Sequence, residues 1–207
     1  MFKDRQDAAL QLANRLQPYQ GKNPLILAIP RGAVPMGKII AQQLGGDFDV
    51  VLVRKLRAPK QPELAVGAVN EDGEIYLADD SQLYGANAAH LKTEIQIQLA
   101  TMRTRRAQYG HIKPSVDPAG RIVIVVDDGL ATGSTMISAL QGLRLRKPGK
   151  LICAVPVAPP DTLFKINAFA DEVVCLETPH FFQAVGQFYR HFPQVEDDEV
   201  RRLLQDS

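Results

Sequence analysis

What this chain has least of narrows its chemistry first. Cysteine occurs twice in 207 residues, at Cys153 and Cys175, each inside an apolar, strand-like run. That excludes a disulfide scaffold and reads as buried, reduced thiols in a cytoplasmic protein. Tryptophan is absent, and the four histidines, His90, His111, His180 and His191, show no metal-ligand spacing. No apolar stretch approaches the roughly 20 residues of a membrane span, and Met1-Phe2-Lys3-Asp4-Arg5 is too polar to open a signal peptide. The charges nearly cancel, 24 Lys+Arg against 23 Asp+Glu, which argues against binding nucleic acid by bulk charge. What is left is a chain of 45% hydrophobic content, long enough for a sizeable core, with no repeat and one expected domain over 1–207.

Strand and helix patterns alternate along it. Asp7 to Leu16 carries apolar residues at helical spacing, Leu25 to Ile29 reads as a short strand, and Pro35 opens a helix that Gly45-Gly46 stops. Val50 to Val53 reads as a second strand. Leu56 to Glu63, with two prolines and no periodicity, reads as a loop, and Ala65 to Leu77 as a hairpin turning at Glu71-Asp72-Gly73. A long amphipathic helix spans Ala86 to Tyr109, with Leu91, Ile95, Leu99 and Met102 on one face. Strands at 122–126, 151–157 and 172–176 follow, separated by helices to Arg146 and from Asp161 to Ala168; helical turns from Phe181 and Glu196 finish the chain. This order predicts an α/β fold, a doubly wound parallel β-sheet flanked by helices, with additions at both ends.

The most informative stretch is Val125-Val126-Asp127-Asp128-Gly129-Leu130-Ala131-Thr132-Gly133-Ser134. An uncharged run from Ile122 reads as a strand buried on both faces, and its carboxyl end, entering a helix, is where open α/β sheets bind ligands. Backbone N–H groups from Ala131 to Thr135, with the helix dipole, form a phosphate cradle. Gly129 and Gly133 allow close approach; Thr132, Ser134 and Thr135 add hydroxyls. Carboxylates would repel that phosphate, so Asp127 and Asp128 must face another part of the ligand. Ionised, they only accept hydrogen bonds, and the vicinal hydroxyls of a ribose suit them. The implied ligand is a ribose 5-phosphate. A second strand–turn–helix junction, Ile29-Pro30-Arg31-Gly32-Ala33-Val34-Pro35, sets an arginine beside a helix start and suits a dense anion. Beyond the next strand come four cations, Arg54, Lys55, Arg57 and Lys60.

Four apolar residues, two acids and a T-G-x-[ST] turn resemble the phosphoribosyl pyrophosphate motif of type I phosphoribosyltransferases. The stretches V-R-K-L-x-A-P, P-E-L-A-x-G-A-V, A-V-P-V-A-P-P and E-V-V-C-L extend the likeness, over nearly the whole chain, to a bacterial group within that family. The resemblance implies a core over about 22–177, a mobile flap hairpin, and a small hood from 1–20 and 178–207. It places pyrophosphate on the Arg31-Gly32 loop, with a cis peptide at Pro30–Arg31, and under flap cations Arg54, Lys55, Arg57 and Lys60, of which Lys55, with Arg31, Asp127 and Asp128, is assigned to catalysis. Gly32, Gly129, Leu130, Ala131, Thr132, Gly133, Ser134 and Thr135 would bind substrate. Mg²⁺ is implied, held mainly by substrate phosphates with Asp127 or Asp128 assisting, and a homodimer is implied as well.

The acceptor is less legible. Pro179-His180-Phe181-Phe182-Gln183-Ala184-Val185-Gly186 is similar to the P-x-x-F-V-V-G segment of hypoxanthine-type enzymes, one residue longer, which makes Phe182 the candidate for stacking on a base and Phe181 the second choice; core packing is the competing reading. Val157-Ala158-Pro159-Pro160 stands where those enzymes place a lysine that reads a 6-oxo group, so the acceptor is expected only to be a small nitrogenous compound such as a nucleobase. The alternative is a regulator on the same fold that senses nucleotides and binds nucleic acid or a protein partner. Its one support is the Arg103-Arg105-Arg106 cluster, which a solvated helix end explains equally well.

Overall fold

A computed structural model describes residues 1–77, 81–110 and 116–205; His111 lies outside them. In chain order the elements are α1 (Arg5–Arg15), β1 (Leu25–Ala28), α2 (Val34–Leu44), β2 (Asp47–Val50), β3 (Val53–Ala58), β4 (Gln61–Asn70), β5 (Ile75–Leu77), α3 (Ala88–Gly110), β6 (Ile122–Val126), α4 (Ser134–Leu145), β7 (Lys150–Val157), α5 (Pro160–Ile166), β8 (Glu172–Glu177) and α6 (Asp197–Gln205).

Five strands pair parallel in the order β2-β1-β6-β7-β8. Side chains alternate across this sheet, and both faces are dry, which explains the unbroken apolar runs in β6 and β7. Ile26, Ala28, Ile124, Val126, Ile152 and Ala154 face one core with α1 and α2; Leu25, Leu27, Val123, Val125, Leu151 and Cys153 face another with α4. The chain winds outward from β1 in one direction and from β6 in the other. The crevice at their adjacent carboxyl ends is therefore the topological switch point.

The remaining strands form an antiparallel sheet, β3-β4-β5. Here the expected loop over 56–63 is instead the turn and flanks of a hairpin. Leu56 and Ala58 are buried while Lys55 and Arg57 are exposed, a period of two masked by the prolines, and the register slips on either side of Arg57. The strand expected over 50–53 divides, because β2 ends at Val50 in the parallel sheet and β3 starts at Val53 in the other. The long helix is as expected, with Met102 buried and Leu91, Ile95 and Leu99 packed on the core. The turn expected from Phe181 begins later, as a 3₁₀ turn at Val185–Phe188, because Gln187 Oε1 accepts from the N–H groups of Gln183 and Ala184 at 3.1 and 3.3 Å.

The two ends of the chain meet over the crevice. Phe2 N–H donates to Phe188 O at 2.8 Å, Arg190 N–H to Phe2 O at 2.9 Å, and His191 N–H to Lys3 O at 3.0 Å. α6 buries Val200 and Leu204 and receives a hydrogen bond from Lys38 Nζ to Leu203 O at 2.9 Å. Among the described residues no helix is long and apolar enough to cross a membrane.

Candidate active site

β6 delivers Asp127 and Asp128 to the switch point. Burial drives the pKa of Asp127 well above the usual carboxylate range, and the neighbouring Asp128 charge pushes the same way. The Asp128 N–H, which donates to Asp127 Oδ1 at 2.9 Å, and the charges of Lys55 and Arg5 oppose this shift. Asp128 is raised by burial too, against the pull of Arg5. Arg5 Nε and Nη2 both donate to Asp128 Oδ2, Nη1 donates to Pro193 O at 2.6 Å, and the guanidinium carbon lies 3.8 Å from the Phe192 ring centre. Phe192 stacks on Tyr189 at 4.7 Å, and Tyr189 OH donates to Asp128 O at 2.7 Å.

The turn after the acids is shaped by two glycines. Gly129 has φ +154°, and a Cβ there would fall 2.5 Å from Val185 Cγ1. Gly133 caps α4 in the left-handed region at φ +76°, facing Thr162 and Ile166. Leu130 is buried with its N–H on Val157 O at 2.9 Å, and Thr162 Oγ1 donates to Ala131 O at 2.6 Å. Thr132 and Ser134 hydroxyls lie 3.2 Å apart at the surface, and Thr135 follows Ser134 in the first turn of α4. Among the described residues, none of the N–H groups from Ala131 to Thr135 makes a turn or cap hydrogen bond, which leaves donors facing outward where a helix dipole favours an anion.

Opposite stands the loop after β1. The Pro30–Arg31 peptide is cis. Gly32 abuts the acids so closely that a Cβ would sit 2.0 Å from Asp128 Oδ2. Arg31 points toward the C-terminal segment, with Nη1 at 3.3 Å from Glu196 Oε2 and 3.7 Å from Asp197 Oδ2. Asp197 also accepts from Tyr109 OH at 2.8 Å.

The remaining candidates divide. Lys55, exposed on β3, is near enough to Asp127 for its charge to favour the ionised form. Arg54 is half-buried, its Nε donating to Gln98 Oε1 at 2.9 Å. Arg57 and Lys60 project into solvent from the β3–β4 hairpin, and His90 Nε2 bonds Arg57 O at 2.8 Å. Phe182 stacks on Phe188 at 5.2 Å and packs against the core, whereas Phe181 is 74% exposed. Within the basic cluster of α3, Arg106 is not a solvated helix end, since it pairs with Glu71 and Asp49. Nothing in the sequence pointed to Arg5, Tyr189 or Phe192. They reach the site only because the chain ends are stitched together, a tertiary fact without a local pattern.

Among the described residues no three His, Cys, Asp or Glu side chains group to hold a metal ion. At the floor of the crevice the carboxylate oxygens on offer are those of Asp127 and the oxygen of Asp128 that Arg5 leaves open. Such a set suits a magnesium ion carried mainly by substrate phosphates.

Residues 2–191 match the model of the phosphoribosyl transferase domain. Provisionally named phosphoribosyl transferases from two strains of Mycobacterium tuberculosis, CDC 1551 / Oshkosh and H37Rv, are each 44% identical over 99% of this chain, and the match spans 46% of their own length. The crystal structure of TT1426 from Thermus thermophilus is 40% identical, with a TM-score of 0.85 over 99% of this chain and 98% of that one. A purine phosphoribosyltransferase from Pyrococcus horikoshii shares the fold at 16% identity, with a TM-score of 0.51 and 93% of each chain covered. On the acid pair, the two facing loops and these likenesses, the chain belongs to the phosphoribosyl transferase family.

Proposed function

We propose that this domain binds phosphoribosyl pyrophosphate and transfers its 5-phosphoribosyl group to a small nitrogenous acceptor, such as a nucleobase, releasing pyrophosphate. The observation that carries this reading is the contact between Gly32 and Asp128. The missing side chain lets the loop after β1 lie directly on the acid pair, so a sugar held by Asp127 and Asp128 has the Ala131–Thr135 turn on one side for its 5-phosphate and the Arg31 loop on the other for its pyrophosphate.

In the reaction the C1–oxygen bond breaks and its electron pair leaves with pyrophosphate. A lone pair of the acceptor nitrogen forms the new C1–N bond, and that nitrogen gives up a proton. The transition state resembles an oxocarbenium ion. Asp127 and Asp128 fix the diol and favour positive charge on the ring, while Arg31, Arg54 and Lys55 stabilise the charge growing on the leaving group. The Mg²⁺ proposed to accompany the substrate supplies further charge neutralisation on the phosphates. Closure of the hairpin bearing Arg57 and Lys60 keeps water from the reacting carbon, and Phe182, already seated on Phe188, offers an aromatic face to the acceptor.

Pyrophosphate release from phosphoribosyl pyrophosphate is measured across purines, pyrimidines and small amines. Turnover with at least one acceptor, abolished in Asp127→Asn/Asp128→Asn with the circular dichroism unchanged, is expected. Undiminished turnover in that double variant overturns the role of the acids. Silence across the panel, with tight binding of nucleotide and RNA, overturns the enzyme in favour of a regulator.

A further inference from the structure

His90, Glu94, Gln98, Met102 and Arg106 recur at every fourth position of α3 and form one stripe along the helix. The first three lie beside β3, an edge strand of the antiparallel sheet. At Arg57, where the register slips, both main-chain groups are taken by this stripe. The N–H donates to Glu94 Oε1 at 3.3 Å, and the carbonyl accepts from His90 Nε2 at 2.8 Å. Gln98 is buried, and its amide bridges two charged groups. Its Nε2 donates to Glu94 Oε1 at 2.9 Å, and its Oε1 accepts from Arg54 Nε at 2.9 Å. An ionised carboxylate only accepts and a guanidinium only donates, so one orientation of the amide satisfies both. Arg54 forms no other hydrogen bond and no ion pair among the described residues. Burial, then the positive charges of Arg105 and Arg57, lower its pKa, and Glu94 opposes them from beyond the amide. Arg54 and Arg105 border Pro30, beside the cis turn, across a cavity of about 10 Å³.

Three like charges that act on one another in a partly desolvated place raise the energy of the folded protein. A glutamate at position 98 would pair with Arg54 and relieve that cost. The amide instead holds Nε through one hydrogen bond and leaves the charge uncancelled. A neutral residue kept where an acid would stabilise the fold points to a use for the charge. We infer that Gln98 is a positioning residue, a neutral spacer between Glu94 and Arg54 that fixes the guanidinium beside the loop after β1 and keeps its charge for the departing group. The use of that charge rests on the function proposed above; the placement of Arg54 by Gln98 does not.

The test compares the wild type with Gln98→Glu and Gln98→Met in three measurements: turnover of phosphoribosyl pyrophosphate, thermal melting, and hydrogen exchange of the arginine Nε–H groups by NMR. In Gln98→Glu the new carboxylate pairs with Arg54. Its kcat falls by about 10- to 100-fold, the scale of one charged hydrogen bond, with KM little changed and a melting temperature no lower than wild type. Gln96→Glu, at an exposed position of the same helix, adds the same charge and leaves kcat as it was. In Gln98→Met the acceptor is gone, and the Arg54 Nε–H exchanges about tenfold faster, while the Nε–H of Arg106, held by Glu71, is unaffected. Undiminished kcat in Gln98→Glu overturns the inference. A kcat that falls only together with the melting temperature assigns Gln98 a structural role and also overturns it. Equal Arg54 Nε–H exchange in wild type and Gln98→Met overturns the placement, with or without turnover. If the wild type turns nothing over, the proposed function fails, and faster Arg54 exchange in Gln98→Met still upholds the placement.

Discussion

Nε and Nη2 of Arg5 converge on a single oxygen of Asp128, Oδ2, at 3.0 and 2.8 Å. The other oxygen is left to whatever enters the crevice. The guanidinium is itself pinned by Pro193 O and the Phe192 ring, so it acts as a positioning residue for the acid rather than as a ligand for substrate.

Arg5→Met is expected to raise KM for phosphoribosyl pyrophosphate by about tenfold, the scale of one lost charged hydrogen bond. The pH dependence separates this role from general destabilisation. Burial raises the Asp128 pKa and Arg5 opposes the rise, so removing Arg5 raises it further. Ionised Asp128 then requires higher pH, and the acidic limb of kcat/KM moves upward. Arg5→Lys restores part of the shift. An unmoved acidic limb in Arg5→Met refutes the positioning role.

Asp127 is held at a cost that its burial sets. Its folded pKa is raised, so the folded state favours the protonated form; that stabilisation is complete below the ordinary value of 3.8 and is lost as pH rises through the folded value. Asp127→Asn removes the loss. The variant should melt about 2–4 °C higher than wild type at pH 8, about 1 kcal/mol for a domain of this size, with the gap closing toward pH 4 and turnover abolished. Calorimetric melting across that range checks it, and a lower melting temperature at pH 8 contradicts it.

Arg31 faces Glu196 and Asp197 across the mouth of the crevice. Glu196 is largely solvated and Asp197 partly so, so the contact is weak. Glu196→Gln/Asp197→Asn should therefore tighten inorganic pyrophosphate binding by only about two- to fivefold. Weaker binding in the double variant would mean that the two acids orient Arg31 instead of competing for it.

Arg106 ties the β4–β5 turn to β2 through Glu71 and Asp49. Arg106→Met leaves two partly buried carboxylates unpaired and should cost about 3 kcal/mol in urea unfolding. A loss under 0.5 kcal/mol, about the scale of an ordinary surface change, would show that solvent already compensates those acids.

The parallel sheet was readable because strands covered on both faces cannot be mistaken for alternating ones: Ile122–Val126 and Leu151–Val157 carry no polar break except where the chain turns. The acid pair and its glycines were readable because a phosphate cradle uses a short local pattern. The β3–β4 hairpin was not, since Pro59 and Pro62 mask the alternation of Leu56 and Ala58. Arg54 and Arg105 were visible only as charges. Their shared cavity depends on how α3 lies across β3, which is distant along the chain, and no local spacing encodes that.

Phe2 and Lys3 exchange main-chain hydrogen bonds with Phe188, Arg190 and His191, so Arg5 and Tyr189 travel together on one seam. One grips the Asp128 side chain and the other its carbonyl oxygen. Strain on either strand of the seam thus arrives at the Asp128 carboxylate and its carbonyl oxygen, so that under the proposed function substrate affinity gauges how firmly the seam is closed.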